Sequence, residues 1–164
     1  MDKKDYRVEV FGKLIEALKY KKITEKSLLK DLGYHPKIQA NLDYISLQNL
    51  RQEVMDVSDR LKDAVSLASY YRDLYKYRFD EAKSLIIKQI KDEVGATQAD
   101  KIALSTEIEL SGVTISCSKE RMISLAYGYW YDRFSSQAKQ LERAIVNIKD
   151  DMMITKERIA KGLD

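Results

Sequence analysis

The segment from residue 43 to residue 94 contains neither proline nor glycine, and it constrains the fold of this chain more than any other feature. Its apolar residues recur at alternating steps of three and four, which is typical of a long helix with a single apolar seam. The seam consists of Leu47, Leu50, Val54, Val57, Leu61, Ala64, Ala68, Tyr71 and Tyr75. The apolar stripe continues less regularly beyond Tyr75, and Gly95 is placed to end the helix.

A second segment, from residue 118 to residue 161, predicts another long helix, with Ser118 as its cap and Gly162 at its end. Its seam consists of Ile123, Tyr127, Trp130, Phe134, Leu141, Ile145, Ile148, Met152 and Ile159. Helices of about 40 residues run roughly 60 Å, and neither is stable alone with an apolar face in water. The sequence therefore predicts an all-α fold in which residues 43–164 form a long antiparallel, coiled-coil-like helical hairpin.

Residues 1–42 predict a separate, small N-terminal helical region. One helical face consists of Val8, Phe11, Ile15 and Leu18. Thr24 is placed to cap a second short helix and Gly33 to end it. A further helix over residues 36–42 would complete a segment that looks like a helix-turn-helix, which supports a weaker, third interpretation as a regulator that binds double-stranded DNA.

The two long helices are joined by a polar link at about residues 95–118. Thr97 to Asp100 has the form of a capping box and predicts a short helix that ends near Leu110. Residues 113–116 are expected to be extended.

Residue counts exclude several classes of protein. One proline and six glycines are too few for a β-sandwich, and one cysteine excludes a disulfide framework. Cys117 is interpreted as a small buried residue and His35 as a surface residue. No phosphate-binding loop or other catalytic motif is present. The sequence therefore predicts a protein that is not an enzyme and needs no cofactor or metal. It is also expected not to enter membranes and to lie in the cytoplasm. If a phage encodes the chain, this is the cytoplasm of the host.

Charge is segmented along the predicted hairpin. Residues 70–91 carry six basic and three acidic side chains, and residues 118–149 carry the same numbers. Residues 92–117 carry one basic and five acidic side chains. Folding the hairpin back brings the two basic segments to the same height, where they form one basic band.

Basic side chains that alternate with tyrosine can bind the phosphates and bases of a single strand. The predicted phosphate contacts are Arg72, Lys76, Arg78, Lys83, Arg121, Lys139 and Arg143. Tyr70 and Tyr77 lie off the seam and are predicted to stack on bases, whereas Tyr71 and Tyr75 lie on the seam and are predicted to be core. The sequence thus predicts a non-enzymatic protein that binds single-stranded nucleic acid, with DNA as the expected form.

The thin core of a two-helix hairpin leaves seam surface for another subunit, so a homo-oligomer is expected. The acidic link of one subunit could dock on the basic band of the next. An alternative function is a protein–protein interaction module, such as a phage adaptor, assembly factor or inhibitor, that docks on its partner through the helical seam.

The C-terminal two-thirds of the chain resembles the UvsY-type recombination mediators of tailed phages. The matching stretches are a helix rich in tyrosine and basic residues (Tyr70–Lys91), a polar link (95–118) and a second long helix (Ile123–Ile148). The resemblance implies a homo-oligomer that binds single-stranded DNA, helps to load a recombinase and so acts in DNA recombination.

Overall fold

The structure is a computed structural model that describes residues 5–163. The elements follow in the order α1 (Tyr6–Leu18), a 3-10 turn (Lys19–Lys21), α2 (Glu25–Leu32), α3 (Tyr44–Val94), α4 (Ala96–Ser105), β1 (Glu107–Leu110), β2 (Val113–Ser116) and α5 (Cys117–Ala160). The predicted all-α class is confirmed, since helices make up 81% of the chain and α3 packs against α5. Among residues 5–163, no helix combines the length and the apolar character that crossing a lipid bilayer requires.

The two long helices begin and end within a residue or two of their predicted limits, but the cap of the second is different. Because β2 runs directly into α5, the helix begins at Cys117. The Lys119 backbone N–H donates to Ser116 Oγ at 3.4 Å. Ser116 therefore caps this end of α5, and the prediction of Ser118 was wrong.

The link between the long helices contains a β-hairpin that the sequence reasoning missed. The short helix α4 ends at Ser105, not near Leu110, and residues 107–110 pair antiparallel with residues 113–116. The turn residues Ser111 and Gly112 both have positive φ, 52° and 78°, which suits a tight two-residue hairpin turn. The capping box predicted at Thr97 was also wrong, because α4 begins after Gly95, which has no side chain to cap it.

The chain divides into two compact units, and α3 and α5 contribute to both. The first unit comprises residues 5–14 and 66–131, and the second comprises residues 15–65 and 132–163. In the first unit, Ser124 Oγ donates to the backbone carbonyl of Arg72 at 2.9 Å. In the second unit, Lys62 and Glu142 form an ion pair at 3.1 Å. In the first unit, Ala82, further along α3, is buried in one cluster with Cys117, the first residue of α5, so the two helices are antiparallel there.

In the first unit, α1 packs on α5 through an aromatic contact. The Trp130 ring stacks on Phe11 at 4.4 Å between centroids, and its indole N–H donates to the Arg7 carbonyl at 2.8 Å. The buried face of α1 passes through Val10 rather than Val8, which is 75% exposed. The prediction that Val8 lies on the buried face was wrong, because Val10 and Phe11 occupy the side that meets α5.

In the second unit, the connection after α2 is fixed by buried polar groups. Asp31 is 3% exposed and accepts two hydrogen bonds from Arg60, at 2.7 and 2.8 Å. The side-chain amide of Gln137 donates to the backbone carbonyls of Asp31 and Tyr34, at 3.2 and 2.6 Å. No helix forms over residues 36–42. The helix-turn-helix interpretation was therefore wrong, because the Tyr34 carbonyl is held by Gln137 instead of starting a second helix.

The predicted cap of α2 is confirmed. Thr24 Oγ1 accepts from the Ser27 N–H at 3.1 Å, and Ser27 Oγ accepts from the Thr24 N–H at 2.9 Å. Thr24→Ala removes one half of this capping box and is expected to lower the free energy of unfolding by about 1 kcal/mol. Urea denaturation followed by circular dichroism measures the loss. Thr24→Ser keeps the hydroxyl and should be close to wild type, and an equal loss in both variants would exclude the cap as the cause.

Candidate nucleic-acid interface

Arg72 lies on α3 in the first unit and is held by four contacts. Its guanidinium lies over the Tyr131 ring, 4.4 Å from the centroid. Its Nε donates to Asp73 at 2.9 Å and an Nη donates to Ser69 Oγ at 3.3 Å. Ser124 binds its backbone carbonyl. The Asp73 carboxylate raises the pKa of Arg72, so the group carries a fixed positive charge beside an aromatic ring.

Lys76 and Arg121 are exposed, and they lie on the same flank as Arg72. Lys76 is one turn along α3 from Arg72, about 40° around the helix. Arg121 precedes Ser124 by three residues, which places it about 60° around α5 from Ser124. Ser124 in turn contacts the Arg72 carbonyl. We call the surface formed by Arg72, Lys76, Arg121 and Tyr131 the basic flank.

Lys83 lies on the same side of α3 but has a carboxylate partner. Its ammonium is 2.6 Å from Asp100 of α4 and 5.8 Å from the centroid of the Phe79 ring. The side chain is 26% exposed. Lys83 therefore connects α3 to α4, and Asp100 offsets the charge that was predicted to contact phosphate.

Arg78 lies about 120° around α3 from Arg72, on the opposite side of the helix from the basic flank. Its guanidinium is 5.2 Å from the centroid of the Tyr75 ring. Glu120, at the beginning of α5, is 8% exposed, and its Oε2 has no hydrogen-bond partner. Burial raises the pKa of Glu120, while the positive charges of Arg78, Lys119 and Lys13 oppose that shift. Arg78 thus acts as a counter-charge to a buried carboxyl group.

Glu120 is expected to make stability depend on pH. Because its pKa is raised in the folded protein, folded chains hold this proton more tightly than unfolded chains do. The contribution is fully present below the ordinary pKa of 4.5 and is lost as pH rises through the folded-state pKa. Glu120→Gln should therefore be more stable than wild type at neutral pH, by about 1 kcal/mol, because a buried negative charge whose Oε2 has no hydrogen-bond donor is removed.

Urea denaturation of wild type and Glu120→Gln at acid and neutral pH checks this expectation. The difference between the two proteins should disappear near the ordinary carboxyl pKa of 4.5. A difference that stays constant over the whole range would show that the titration of Glu120 does not cause it.

The two predicted stacking tyrosines lie on the outer face of α3. Tyr70 and Tyr77 are 61% and 64% exposed. Tyr77 lies about 100° around the helix from Lys76, and so outside the basic flank. Tyr71 and Tyr75 stack on Tyr127 at 5.2 and 5.7 Å between centroids, which agrees with their predicted place in the core.

Lys139 and Arg143 belong to the second unit, where both are exposed on α5. They line a shallow surface depression of about 340 Å³ together with Glu142 and Val146. Glu142 forms its ion pair with Lys62 of α3. The prediction that Lys139 and Arg143 lie in one band with residues 70–91 was therefore wrong, because their segment of α5 packs beside Lys62, before the basic segment of α3 begins.

Tyr131 is the main residue of this interface that sequence reasoning missed. The chain around it, Tyr127-Gly-Tyr-Trp-Tyr131, reads as a shared aromatic core. Tyr131 is half-buried and forms the surface beneath Arg72. Its position four residues after the seam residue Tyr127 was the available signal, since that step places it at the edge of the seam.

Within residues 5–163, no group of three or more histidine, cysteine or carboxylate side chains is arranged to hold a metal ion. Cys117 is fully buried among apolar residues, and burial raises the pKa of its thiol. His35 is exposed.

No family model, no curated protein and no solved structure matches this chain. The resemblance to UvsY-type mediators therefore stays a prediction from the sequence pattern.

Proposed function

We propose that this protein binds single-stranded nucleic acid, DNA in the first instance, through the basic flank of its first unit. The observation that carries the proposal is the Arg72 guanidinium over the Tyr131 ring, 4.4 Å from its centroid, with Lys76 and Arg121 exposed on the same flank. A planar cation on an aromatic ring offers a flat surface to a base, and the two flanking cations offer contacts to phosphates.

The three cations differ in what they supply. Arg72 is oriented by Asp73 and Ser69 over the Tyr131 ring, and its side chain is 33% exposed, which is the surface that a base would use. Lys76 and Arg121 are exposed and supply positive charge to the strand backbone. Tyr70 and Tyr77, exposed on the outer face, would stack bases only where the strand turns around α3.

Single strands are favoured over duplex by the same chemistry. A base can stack on Arg72 only when it is unpaired and turned out of a helix, and duplex bases are already stacked on one another. Assembly into a homo-oligomer and loading of a recombinase, both implied by the resemblance to UvsY-type mediators, are proposed as the setting in which this binding acts.

Interaction with another protein is a second candidate function, and one observation favours it. Large apolar side chains are exposed along the last part of α5, among them Val146, Met153 and Ile154 at 55–57%. The seam residues Leu61 and Ala64 are fully buried within the chain. Ile159, the last predicted seam residue, is 54% exposed at this end of α5. A partner would therefore bind the exposed apolar surface, which includes the end of the seam but not its buried middle.

Fluorescence anisotropy of a labelled single-stranded oligonucleotide, titrated over a series of salt concentrations, tests the proposal. If the basic flank neutralises about three phosphates, log K should fall with log salt with a slope of about −2 per chain. Unlabelled duplex should compete poorly. Absence of binding at low salt, or affinity that does not change with salt, would overturn the proposal and favour the protein-interaction function.

A further inference from the structure

The second unit contains a basic cavity that no part of the proposed function uses. It has a volume of about 210 Å³ and lies between the beginning of α3 and the last turns of α5. The lining side chains are Tyr44, Arg51, Lys149, Met152, Met153 and Lys156. Three of the six are cationic and none is acidic, so the lining alone carries a charge of +3.

Helix geometry explains why these side chains converge. Tyr44 and Arg51 are seven residues apart on α3, and Lys149 and Lys156 are seven apart on α5, so each pair lies on one face two turns apart. Met152 lies between the two lysines on the same face. The cavity is therefore built by two helices that the seam already holds together, with no loop involved.

Arg51 provides a second, independent observation. Its Nε is buried and has no hydrogen-bond partner. A buried donor of a charged group without an acceptor is costly, and such groups are normally satisfied by a protein atom, water or a ligand. Nε itself is closed to solvent, but it belongs to a guanidinium whose side chain lines the cavity, so an anion seated there would offset the charge of a group that lacks one of its acceptors.

We propose that this cavity binds a phosphomonoester. At neutral pH the group carries a charge of about −1.5 to −2 and three acceptor oxygens, which suits three converging cations better than the single charge of a carboxylate. Arg51 would hold two phosphate oxygens through its two Nη groups, the fork geometry that favours arginine over lysine. Met152 and Met153 supply apolar surface for the organic group on the other side of the ester.

Methionine methyl groups report directly on this cavity, because two of the five methionines line it. The full-length chain, labelled with ¹³C at its methionine methyl groups, is titrated by NMR with adenosine monophosphate, inorganic phosphate and adenosine. The monophosphate is expected to shift the Met152 and Met153 signals with the highest affinity. Inorganic phosphate should bind more weakly, and adenosine should leave both signals unchanged.

Two variants separate the role of the fork from that of charge. Arg51→Lys keeps the charge but loses the two-pronged guanidinium, and Lys149→Gln loses one charge; each should weaken binding of the monophosphate about tenfold. Lys26→Gln removes an exposed lysine of α2 that does not line the cavity, and it should bind as wild type does. Circular dichroism verifies that each variant is folded.

An oligonucleotide pair identifies the source of the phosphate. Shifts produced by a 5′-phosphorylated strand and not by its 5′-hydroxyl form would assign the cavity to strand ends, and shifts produced by the mononucleotide alone would assign it to a free ligand. The proposal is overturned if adenosine shifts the signals as the monophosphate does, if no probe shifts them, or if both variants bind like wild type. None of these probes needs the basic flank in order to bind in the cavity. Failure of phosphomonoester binding and failure of single-strand binding are therefore independent results.

Discussion

Replacing Tyr127 with alanine is expected to lower the free energy of unfolding by about 3–5 kcal/mol. Tyr127 is 1% exposed and stacks on both Tyr71 and Tyr75 of α3. Truncation leaves a cavity in the first unit and removes two ring–ring contacts at once. Urea denaturation monitored by circular dichroism measures the change.

Two further variants show whether burial is the cause. Tyr70→Ala removes a ring of the same size that is 61% exposed, and it should cost less than about 0.5 kcal/mol. Tyr127→Phe keeps both stacking contacts and should recover most of the lost stability. If Tyr70→Ala were as damaging as Tyr127→Ala, the aromatic cluster would not be the core of this unit.

The double charge reversal Lys76→Glu with Arg121→Glu is expected to weaken single-stranded DNA binding about 100-fold at low salt. Each substitution removes one phosphate contact from the basic flank and adds a repulsive carboxylate. Both side chains are exposed, so the fold should be unchanged. Anisotropy titration gives the affinity, and circular dichroism verifies the helical content.

A matched control separates the site from net charge. Lys26→Glu with Lys101→Glu changes the charge by the same amount at two exposed positions outside the flank. This control should lose far less affinity than the flank variant. Equal losses would mean that the whole charge of the protein, and not the basic flank, attracts the strand.

The long helices were predictable because their information is local. A seam repeated at steps of three and four, with glycine at the limits, specifies α3 and α5 without any knowledge of what they contact. The β-hairpin was missed because Glu107 to Leu110 also continues a helical pattern, and only its pairing with residues 113–116 decides between the two. The cap of α5 was predicted at Ser118 and not at Ser116 for the same reason, since the strand that ends at Ser116 is defined by its pairing with residues 107–110.

The positions of the cations around α3 were predictable, but the groups that contact them were not. A rotation of 100° per residue places Lys76 and Arg72 together on α3. It does not show that Asp100 would approach Lys83 from α4, or that Glu120 would be buried near Arg78. Such pairs join elements distant in sequence, and their charges depend on packing that no periodicity encodes. The cavity around Arg51 was missed likewise, since two helices supply its lining.

The contacts of Arg72 have a consequence for the kinetics of ligand capture. A free arginine side chain has about 2 kcal/mol of rotamer entropy to lose when it is immobilised. Here Tyr131, Asp73 and Ser69 fix the side chain during folding, so little of that entropy remains to be lost when a ligand arrives. The association rate of a strand at Arg72 should therefore be limited by diffusion and by rearrangement of the nucleic acid. Rearrangement of the Arg72 side chain should not limit it.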